Sequence, residues 1–237
     1  MLIFLSELIG TAMLILLGCG VCANTLLDKS GMKGAGAVQI TFGWGLAVLI
    51  PVIIFGDSSG ALFNPALAIA LACDGSLPWS VVPNYIVAEM LGGFIGAVLV
   101  FVLFKKQFDA TEDCGTKLGC FATRPSVPNV ALNFLSETIG TFVLMFTIKG
   151  IGHATGVSGG MDKIFVFALI VSIGMSLGGL TGYAINPARD FGPRLAHFIL
   201  PIKNKGSSNW AYAWIPIVAP IVGALLAVGL FAILPWK

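Results

Sequence analysis

Hydrophobic residues are distributed along the chain in six long runs that polar or glycine-rich stretches separate. The runs occupy approximately 2–27, 36–55, 81–104, 131–151, 162–180 and 210–234. A helix needs about 20 consecutive apolar residues to cross the hydrocarbon core of a bilayer, and the runs are near this length. The pattern therefore predicts an all-α membrane protein with six transmembrane helices.

Two shorter apolar segments interrupt this pattern, and each contains the tripeptide Asn-Pro-Ala. They occupy 62–73 and 185–200. Segments of such length often re-enter the membrane or lie at its surface. Pro65 and Pro187 suit the first turn of a helix, because that position needs no backbone donor. Asn64 and Asn186 then fall at the N-cap, where asparagine is favoured.

The chain also repeats itself. The sequence FLSELIGT at 4–11 returns as FLSETIGT at 134–141, and FNPA at 63–66 returns as INPA at 185–188. Each half reads as a long helix with a glutamate, a second long helix, a short Asn-Pro-Ala segment and a third long helix. Because three spans per half is an odd number, the second half enters the membrane from the opposite side, as in many transport proteins.

This order predicts one domain over 1–237, with inverted repeats at approximately 1–104 and 131–237 and a linking loop at 105–130. Two re-entrant half-helices from opposite faces then meet near the midplane. The non-helical backbone that leads to them is tolerated only if it is buried in protein or lines a wet path. A single Asn-Pro-Ala is an ordinary helix start, whereas two in equivalent places favour this plan.

Composition agrees with a membrane protein and excludes several other classes. The chain is 57% hydrophobic and 10% charged, with a mean hydropathy of +0.96. A formal net charge of +2 is too small to suggest a nucleic-acid partner. The N-terminus runs into an apolar segment without a basic start, so we expect no cleavable signal peptide. With no nucleophile–base pair, metal cluster or nucleotide motif, we expect no enzyme activity, no cofactor and no metal.

The five cysteines cannot all pair with one another. Cys19, Cys22 and Cys73 lie in apolar segments and are interpreted as small core residues. Cys114 and Cys120 lie in the polar segment DCGTKLGC, where a disulfide between them is an open alternative. Structural zinc is disfavoured there because it usually takes four ligands.

The motifs together identify a family. The contexts SGALFNPA and GLTGYAINPARDFGPR, with the helix starts ELIGT and ETIGT, resemble the aquaporin family over nearly the whole chain. Within it they are similar to the glycerol facilitators, or aquaglyceroporins. The resemblance implies the aquaporin fold, a pore in each protomer and a homotetramer in the lipid bilayer of the plasma membrane. It also implies transport of glycerol, similar small neutral solutes and water.

In this family the narrowest point of the pore is formed by four residues, which match Trp44, Gly174, Tyr183 and Arg189 here. An arginine at membrane depth is costly and usually faces a wet path, although anchoring through carbonyls is the alternative. Gly174 leaves room where water-selective members usually carry histidine. Trp44 and Tyr183 form an apolar wedge for the carbon backbone of a polyol, and Arg189 donates to its hydroxyls.

Taken singly, members of this set also fit structural roles. Trp44 alone fits an interfacial or packing aromatic, and Gly174 alone fits a helix-packing glycine. Tyr183 stands where the best-known glycerol facilitators carry phenylalanine, so its hydroxyl either narrows the filter or adds a hydrogen-bonding group.

The resemblance assigns the rest of the path to asparagine side chains and backbone carbonyls. Asn-Pro-Ala occupies Asn64, Pro65 and Ala66 and again Asn186, Pro187 and Ala188. The asparagines offer donors, and the two helix dipoles raise a positive barrier against cations and protons. The implied pore carbonyls belong to Gly60, Ala61, Leu62, Gly182, Tyr183 and Ala184. Leu62 departs from the family, where histidine is common, and makes the vestibule more apolar.

Three acidic residues fall inside the predicted spans. Glu7 and Glu137 occupy matching places in the repeats, and Glu89 lies in the third long run. A buried carboxylate must be paired or hydrogen-bonded. The family implies that Glu7 and Glu137 hold the re-entrant loops through backbone N–H groups, and Glu89 is a further candidate brace. The alternative is a proton relay.

Two pairs distinguish the glycerol branch of the family from its water channels. Asp190 and Arg194 lie four residues apart on one helical face and are predicted to form a salt bridge. Pro216 and Ile217 match the facilitator pattern in the last helix, where water channels usually carry aromatics.

The family orientation conflicts with the charge pattern. Cytoplasmic termini place eight basic residues outside and three inside, against the positive-inside rule. The outside residues are Lys29, Lys33, Lys105, Lys106, Lys117, Arg124, Lys203 and Lys205, and the inside ones are Lys149, Lys163 and Lys237. The near-whole-chain resemblance is the more specific signal, so cytoplasmic termini are the prediction.

The sequence thus predicts a passive channel for glycerol and other small neutral solutes, together with water, that excludes ions and protons. Two alternatives stay open at this stage: a water-selective channel, and a secondary transporter that binds protons on Glu7, Glu89 or Glu137.

Overall fold

The chain is described by a computed structural model over residues 1–157 and 159–236. Lys237, one of the basic residues assigned to the inside, lies outside the described residues. In chain order the helices are α1 (Leu2–Leu26), α2 (Ala37–Ser59), α3 (Pro65–Cys73), α4 (Val82–Leu103), α5 (Lys105–Ala110), α6 (Cys114–Gly119), α7 (Val130–His153), α8 (Met161–Thr181), α9 (Pro187–Ile199) and α10 (Ile215–Ile233).

Six of these helices are long and apolar enough to cross a membrane, as the hydrophobic pattern predicts. They are α1, α2, α4 with the 3₁₀ turn Trp79–Val81 before it, α7, α8 and α10. Two boundaries differ from the prediction. Helix α2 continues through polar residues to Ser59 and stops where Gly60 adopts a left-handed conformation with φ 82°. Helix α10 begins only at Ile215, because Asn209 (φ 51°) opens a series of turns.

The two short helices start as the Asn-Pro-Ala motifs predict. Asn64 has an extended backbone, and its side-chain oxygen accepts a hydrogen bond from the N–H of Ala66 at 3.0 Å. Asn186 is also extended and accepts from the N–H groups of Ala188 and Arg189 at 2.9 and 3.2 Å. Both asparagines are therefore true N-caps with proline at the first helical position.

Helix packing relates the two halves of the chain to one another. Helix α1 packs on α2 and α4, and α7 packs in the same way on α8 and α10. Each short helix packs on the last long helix of the other half, α9 on α4 and α3 on α10. Glycines allow the backbones to approach closely: a Cβ on Gly96 of α4 would lie 2.4 Å from the carbonyl oxygen of Ala12. On Gly223 of α10 it would lie 2.2 Å from that of Thr138.

The segment 105–130, predicted as a loop, contains the short helices α5 and α6. Lys105 and Asp109 form an ion pair one turn apart in α5. Asp113 caps α6, and hydrogen bonds from Thr116 lower the pKa of Asp113 below its usual range. These short-range contacts give local order that the hydrophobic pattern does not reveal.

The loops gather on opposite faces of the helical bundle. On one face the N–H of Asp28 donates to Thr111 at 2.8 Å, and the ammonium of Lys117 donates to the carbonyl of Lys203. On the other face Lys149 of α7 forms an ion pair with Asp74 at the end of α3, at 2.8 Å. The three loops assigned to the outside therefore lie together.

Cys114 and Cys120 are free thiols, so the disulfide that the sequence allows is not formed in the structure. Cys114 is exposed and donates to the carbonyl of Asn204 at 3.1 Å. Cys120 is buried and donates to the carbonyl of Thr116 at 3.2 Å.

Candidate functional site

The N-termini of the two short helices meet through reciprocal hydrogen bonds. The amide of Asn64 donates to the carbonyl of Ile185 at 2.9 Å, and the amide of Asn186 donates to the carbonyl of Phe63 at 2.7 Å. Both asparagines are nearly buried. A side-chain amide has two donor hydrogens, so each asparagine keeps one N–H beyond this bond. The positive ends of both helix dipoles converge at the same point.

Two buried carboxylates hold the backbone that leads into α3. Glu7 of α1 accepts from the N–H groups of Leu62 and Phe63, at 3.2 and 2.8 Å. Glu89 of α4 accepts from the next N–H, that of Asn64, at 3.0 Å. The second oxygen of Glu89 has no hydrogen-bond partner within the described part of the chain. Both glutamates are fully buried and act on three consecutive peptide groups.

One carboxylate does the same for the backbone that leads into α9. Glu137 of α7 uses one oxygen for the N–H of Ala184 at 3.0 Å and the other for the N–H of Ile185 at 2.8 Å. Glu7 and Glu137 thus occupy equivalent positions in the two sequence repeats and make the same kind of contact with the loop backbone. These bonds satisfy buried charge and buried backbone donors together.

Both loops share an unusual backbone. At four, three and one residues before each asparagine φ is positive: Gly60, Ala61 and Phe63 in the first loop, and Gly182, Tyr183 and Ile185 in the second. Left-handed backbone costs about 1–2 kcal/mol for a residue with a Cβ, and the bonds to the glutamates offset this cost. In a trans peptide the C=O points opposite to the N–H. The carbonyls of Ala61, Leu62, Tyr183 and Ala184 accordingly point away from the glutamates, because the N–H groups that follow them donate to Glu7 or Glu137.

A cavity of about 320 Å³ lies against these loops. Its lining extends from Arg189 and Trp44, past Asn64 and Asn186, to Lys163 at the start of α8. Apolar side chains of the long helices form most of its wall. Five of the six residues predicted to supply pore carbonyls line it, namely Gly60, Ala61, Leu62, Tyr183 and Ala184, while Gly182 is not among the lining residues.

Arg189 is held at one end of the cavity by an aromatic ring and a carbonyl. Its guanidinium carbon lies 4.0 Å from the centre of the Trp44 ring, and one of its N–H groups donates to the carbonyl of Phe121 at 3.0 Å. Arg189 is 7% exposed and lines the cavity. The short distance favours a cation–π contact, and among the described residues only Phe121 accepts from the guanidinium, so its other N–H groups are available to donate.

Tyr183 and Gly174 are in contact, but only the tyrosine lines the cavity. A Cβ on Gly174 would lie 2.8 Å from the ring of Tyr183 and 2.6 Å from Thr41, so the glycine makes room for the ring. Gly178, one turn later in α8, makes room for the other edge of the ring. The Tyr183 hydroxyl is buried, without a hydrogen-bond partner in the described residues. The two roles that the sequence left open for this hydroxyl, a narrower filter or an added hydrogen-bonding group, stay predictions.

The predicted ion pair of Asp190 and Arg194 is present, fully buried and bidentate, with N–O distances of 2.8 and 2.9 Å. Arg194 also donates to the carbonyls of Thr123 and Ser208, and Asp190 accepts from the N–H and hydroxyl of Thr123. The pair thus ties α9 to the segments that contain Thr123 and Ser208. Neither residue of the pair lines the cavity.

Pro216 and Ile217, predicted as a further mark of the glycerol branch, lie at the start of α10 away from the cavity lining. Sequence reasoning missed the carbonyl groups of Phe63, Phe121 and Ile185, which receive the site's side chains. No residue-type signal identifies a carbonyl acceptor, because every residue carries one. Gly178 could have been found from the sequence, because it is a glycine eight residues before Asn186 on the helix that leads into the loop.

Comparison with known proteins gives the same picture. A family model described as "Major intrinsic protein" matches residues 2–231. The chain is 52% identical over 220 residues to the "Glycerol uptake facilitator protein" of Bacillus subtilis, covering 93% of this chain and 80% of that protein. It is 47% identical over 227 residues to the protein of the same name from Streptococcus pneumoniae, covering 96% and 97%.

A solved structure is similar across almost the whole fold. The aquaglyceroporin from Plasmodium falciparum superposes with a TM-score of 0.85 at 29% identity, covering 98% of this chain and 95% of that one. The opposed Asn-Pro-Ala helices, the six long helices and the whole-length family match point to one assignment. The chain belongs to the major intrinsic protein family, whose members are passive membrane channels.

Proposed function

We propose that the protein conducts glycerol and other small neutral solutes, and also water, down their gradients. The observation that carries this proposal is the stacked pair of Arg189 and Trp44 at one end of the cavity. It sets strong donors beside an apolar ring, and a polyol presents hydroxyls on one side and C–H groups on the other. The names of the bacterial relatives support glycerol as the solute.

The proposed filter consists of Trp44, Tyr183 and Arg189 at the cavity wall, with Gly174 behind the tyrosine. Gly174 acts indirectly, because it lets the Tyr183 ring lie flat against α8 and out of the path. The solute then meets the face of one aromatic, the edge of another and the guanidinium donors. A water-selective filter would present less apolar surface at this point.

A line of acceptors continues the proposed path beyond the filter. The carbonyls of Ala61, Leu62, Tyr183 and Ala184 point away from the supporting glutamates, and all four residues line the cavity. Hydroxyl groups that pass along them exchange hydration water for carbonyl oxygens, while carbon atoms contact the apolar wall opposite. The remaining N–H groups of Asn64 and Asn186 donate at the midpoint.

Exclusion of cations and protons is proposed to arise at the same midpoint. Two helix N-termini and Arg189 make this part of the path electropositive, and a cation would lose hydration without gaining a negative partner. The Asn64 and Asn186 donors orient a water oxygen toward themselves, which opposes proton transfer along a water chain.

Glu7 and Glu137 fit a supporting role better than proton coupling. They use both oxygens on backbone N–H groups that shape the loops, so neither oxygen is free for a transported proton. Glu89 also holds a backbone N–H, but its second oxygen has no partner among the described residues, so a test of proton coupling belongs at Glu89. A transport function is proposed in place of an enzymatic one. Asp190 and Arg194, with Pro216 and Ile217, are proposed to mark the glycerol branch through the packing of α9 and α10.

The assembly is proposed to follow the family. We propose one channel domain per chain, with inverted repeats near 1–104 and 131–237, four chains per assembly, and a plasma-membrane location with cytoplasmic termini. The matched helix pairs of the two halves support the inverted repeats. The many exposed apolar side chains on the long helices support a location in the membrane.

Reconstitution into liposomes tests the proposed activity. In stopped-flow light scattering, vesicles that carry the protein should shrink rapidly in hyperosmotic glycerol and then reswell as glycerol enters, while protein-free vesicles reswell slowly. Urea, dihydroxyacetone and lactic acid define the solute range. Shrinkage without faster reswelling would identify a water-selective channel, and uphill uptake driven by a proton gradient would identify a coupled transporter.

A further inference from the structure

Helix α1 forms a seat for Trp44 on its buried face. Gly18 and Cys22 lie one turn apart on this face. A Cβ on Gly18 would lie 2.2 Å from the six-membered ring of Trp44, so the ring occupies the space above the glycine. The sulfur of Cys22 lies 3.3 Å from the indole nitrogen and accepts its N–H. Neither Gly18 nor Cys22 lines the cavity.

This seat determines how the indole meets the arginine. The ring touches Gly18 at one end and is hydrogen-bonded to Cys22 at the other, and its face lies 4.0 Å from the guanidinium carbon of Arg189. A rotation of the indole in its plane would break the bond to Cys22, and a tilt would bring the ring into contact with Gly18. The position of the guanidinium thus depends on the seat, together with the carbonyl of Phe121.

The contact also removes a polar group from the wall of the path. The indole N–H is a donor that needs a partner when it is buried. Because Cys22 accepts it, Trp44 presents only carbon to the cavity, and all the donors at this end belong to Arg189. A thiol is a weak acceptor, but no other acceptor for the indole N–H is present among the described residues.

We propose that Cys22 is a positioning residue for selectivity. By accepting the indole N–H it holds Trp44 beneath Arg189 and keeps the wedge apolar, and it thereby sets the ratio of glycerol to water permeability. The proposal rests on the proposed function, because it assumes that Trp44 and Arg189 form the filter. Sequence reasoning assigned Cys22 only a packing role, since the contact spans 22 positions in the chain.

The test compares Cys22→Ala and Cys22→Ser in liposomes, with glycerol and water permeabilities measured on the same vesicles. Serine keeps an acceptor and should hold the ratio within about twofold of the wild type, whereas alanine leaves the N–H unpaired. We expect alanine to lower the glycerol-to-water ratio about three- to tenfold, the range of one net hydrogen bond. Retained water flux shows that the variant is folded and inserted.

Two controls separate positioning from packing. Cys120→Ala removes another fully buried thiol, one that bonds to the carbonyl of Thr116, and should leave the ratio unchanged. In a Trp44→Phe background, where the ring has no N–H, Cys22→Ala should have no further effect on the ratio. If Cys22→Ala fails to insert, Cys22→Val replaces it, because valine fills the space of the thiol without an acceptor. The same fall in the glycerol-to-water ratio is expected.

The outcomes distinguish this proposal from the proposed function. A wild-type protein that passes no glycerol would overturn the proposed function. A wild type that passes glycerol, with an unchanged ratio in Cys22→Ala, would overturn the role of Cys22 alone. The role of Cys22 would also be overturned if Cys22→Ser lost selectivity as fully as Cys22→Ala. It would be overturned as well if Cys22→Ser inserted into the membrane while Cys22→Ala and Cys22→Val did not, because the thiol would then act in folding.

Discussion

At the scale of single residues, contacts between side chains decide which atoms a solute meets. Tyr183 lines the cavity with its ring while its hydroxyl is buried against α8. Gly174 packs against that ring so closely that a Cβ on it would lie 2.8 Å from a ring carbon. The hypothesis was that glycine at this position widens the path directly. The contacts favour an indirect effect, in which the lack of a side chain on Gly174 leaves space for the Tyr183 ring.

Substitutions at these two positions should differ in their effect on flux. Gly174→Ala should lower glycerol flux more than water flux, because the new methyl group pushes the Tyr183 ring into the path. Tyr183→Phe should change both fluxes less than about twofold, since the lost hydroxyl is buried and does not meet the solute. Stopped-flow swelling in liposomes measures both effects.

Helix α8 offers a matched control for this pair. Gly179→Ala adds the same methyl group where nothing lies within 4 Å, so it should be silent. Equal losses of glycerol and water flux in Gly174→Ala would mean that the residue acts in folding rather than in the filter.

At the scale of elements, the re-entrant loops are held by carboxylates on neighbouring long helices, two for the first loop and one for the second. Glu137 uses both oxygens, one for each of two consecutive N–H groups. Glu89 uses one oxygen, and the other has no partner in the described residues. An isosteric change to glutamine, which has a single acceptor oxygen, should separate these two situations.

Glu137→Gln should destabilise the protein by about 1–3 kcal/mol, because one buried N–H loses its acceptor and faces an amide donor. Glu89→Gln should keep stability and both fluxes, because the amide replaces the oxygen that has no partner. Thermal unfolding in detergent and liposome flux measure the two effects. Glycerol uptake that depends on a proton gradient in the wild type and loses that dependence in Glu89→Gln would instead support a coupled transporter.

At the scale of the whole molecule, the charge distribution and the family orientation oppose each other. Several basic residues on the face assigned to the outside have structural partners there. Lys33 and Lys105 pair with Asp28 and Asp109, and Lys117 and Lys205 donate to backbone carbonyls. Their place on that face is explained by these contacts.

A reporter fused to the C-terminus tests the orientation. A tag that is active only in the cytoplasm should give signal, and a protease added outside intact cells should leave the tag uncut. An extracellular tag would show that the charge pattern, rather than the family, predicts the topology. An insertion after Asp113 in the large loop serves as the opposite control, because it should be cut from outside.

Local patterns in the sequence are enough to predict the long helices and the two Asn-Pro-Ala helices, but not α5 and α6. Six spans, two short helices and their asparagine caps follow from the length of apolar runs and from proline and asparagine chemistry, which act within one turn. Asp190 and Arg194 were also predictable as a pair, because helical neighbours four residues apart lie on one face. The predicted ends of α2 and α10 were wrong by four or five residues, because capping and turns depend on distant partners such as the contact of Ser59 with Glu7.

Which atoms face the cavity depends on contacts that form only in the folded molecule. The bond between Cys22 and Trp44 joins positions distant in the chain. The contact of Tyr183 with Gly174 depends on loop conformation. So do the carbonyls that accept from Asn64 and Asn186. A backbone carbonyl is the same group at every residue, so its direction is set by the partner of the neighbouring N–H. The residue types name the candidates for the path, and the packing of helices from both halves determines what each of them presents to a solute.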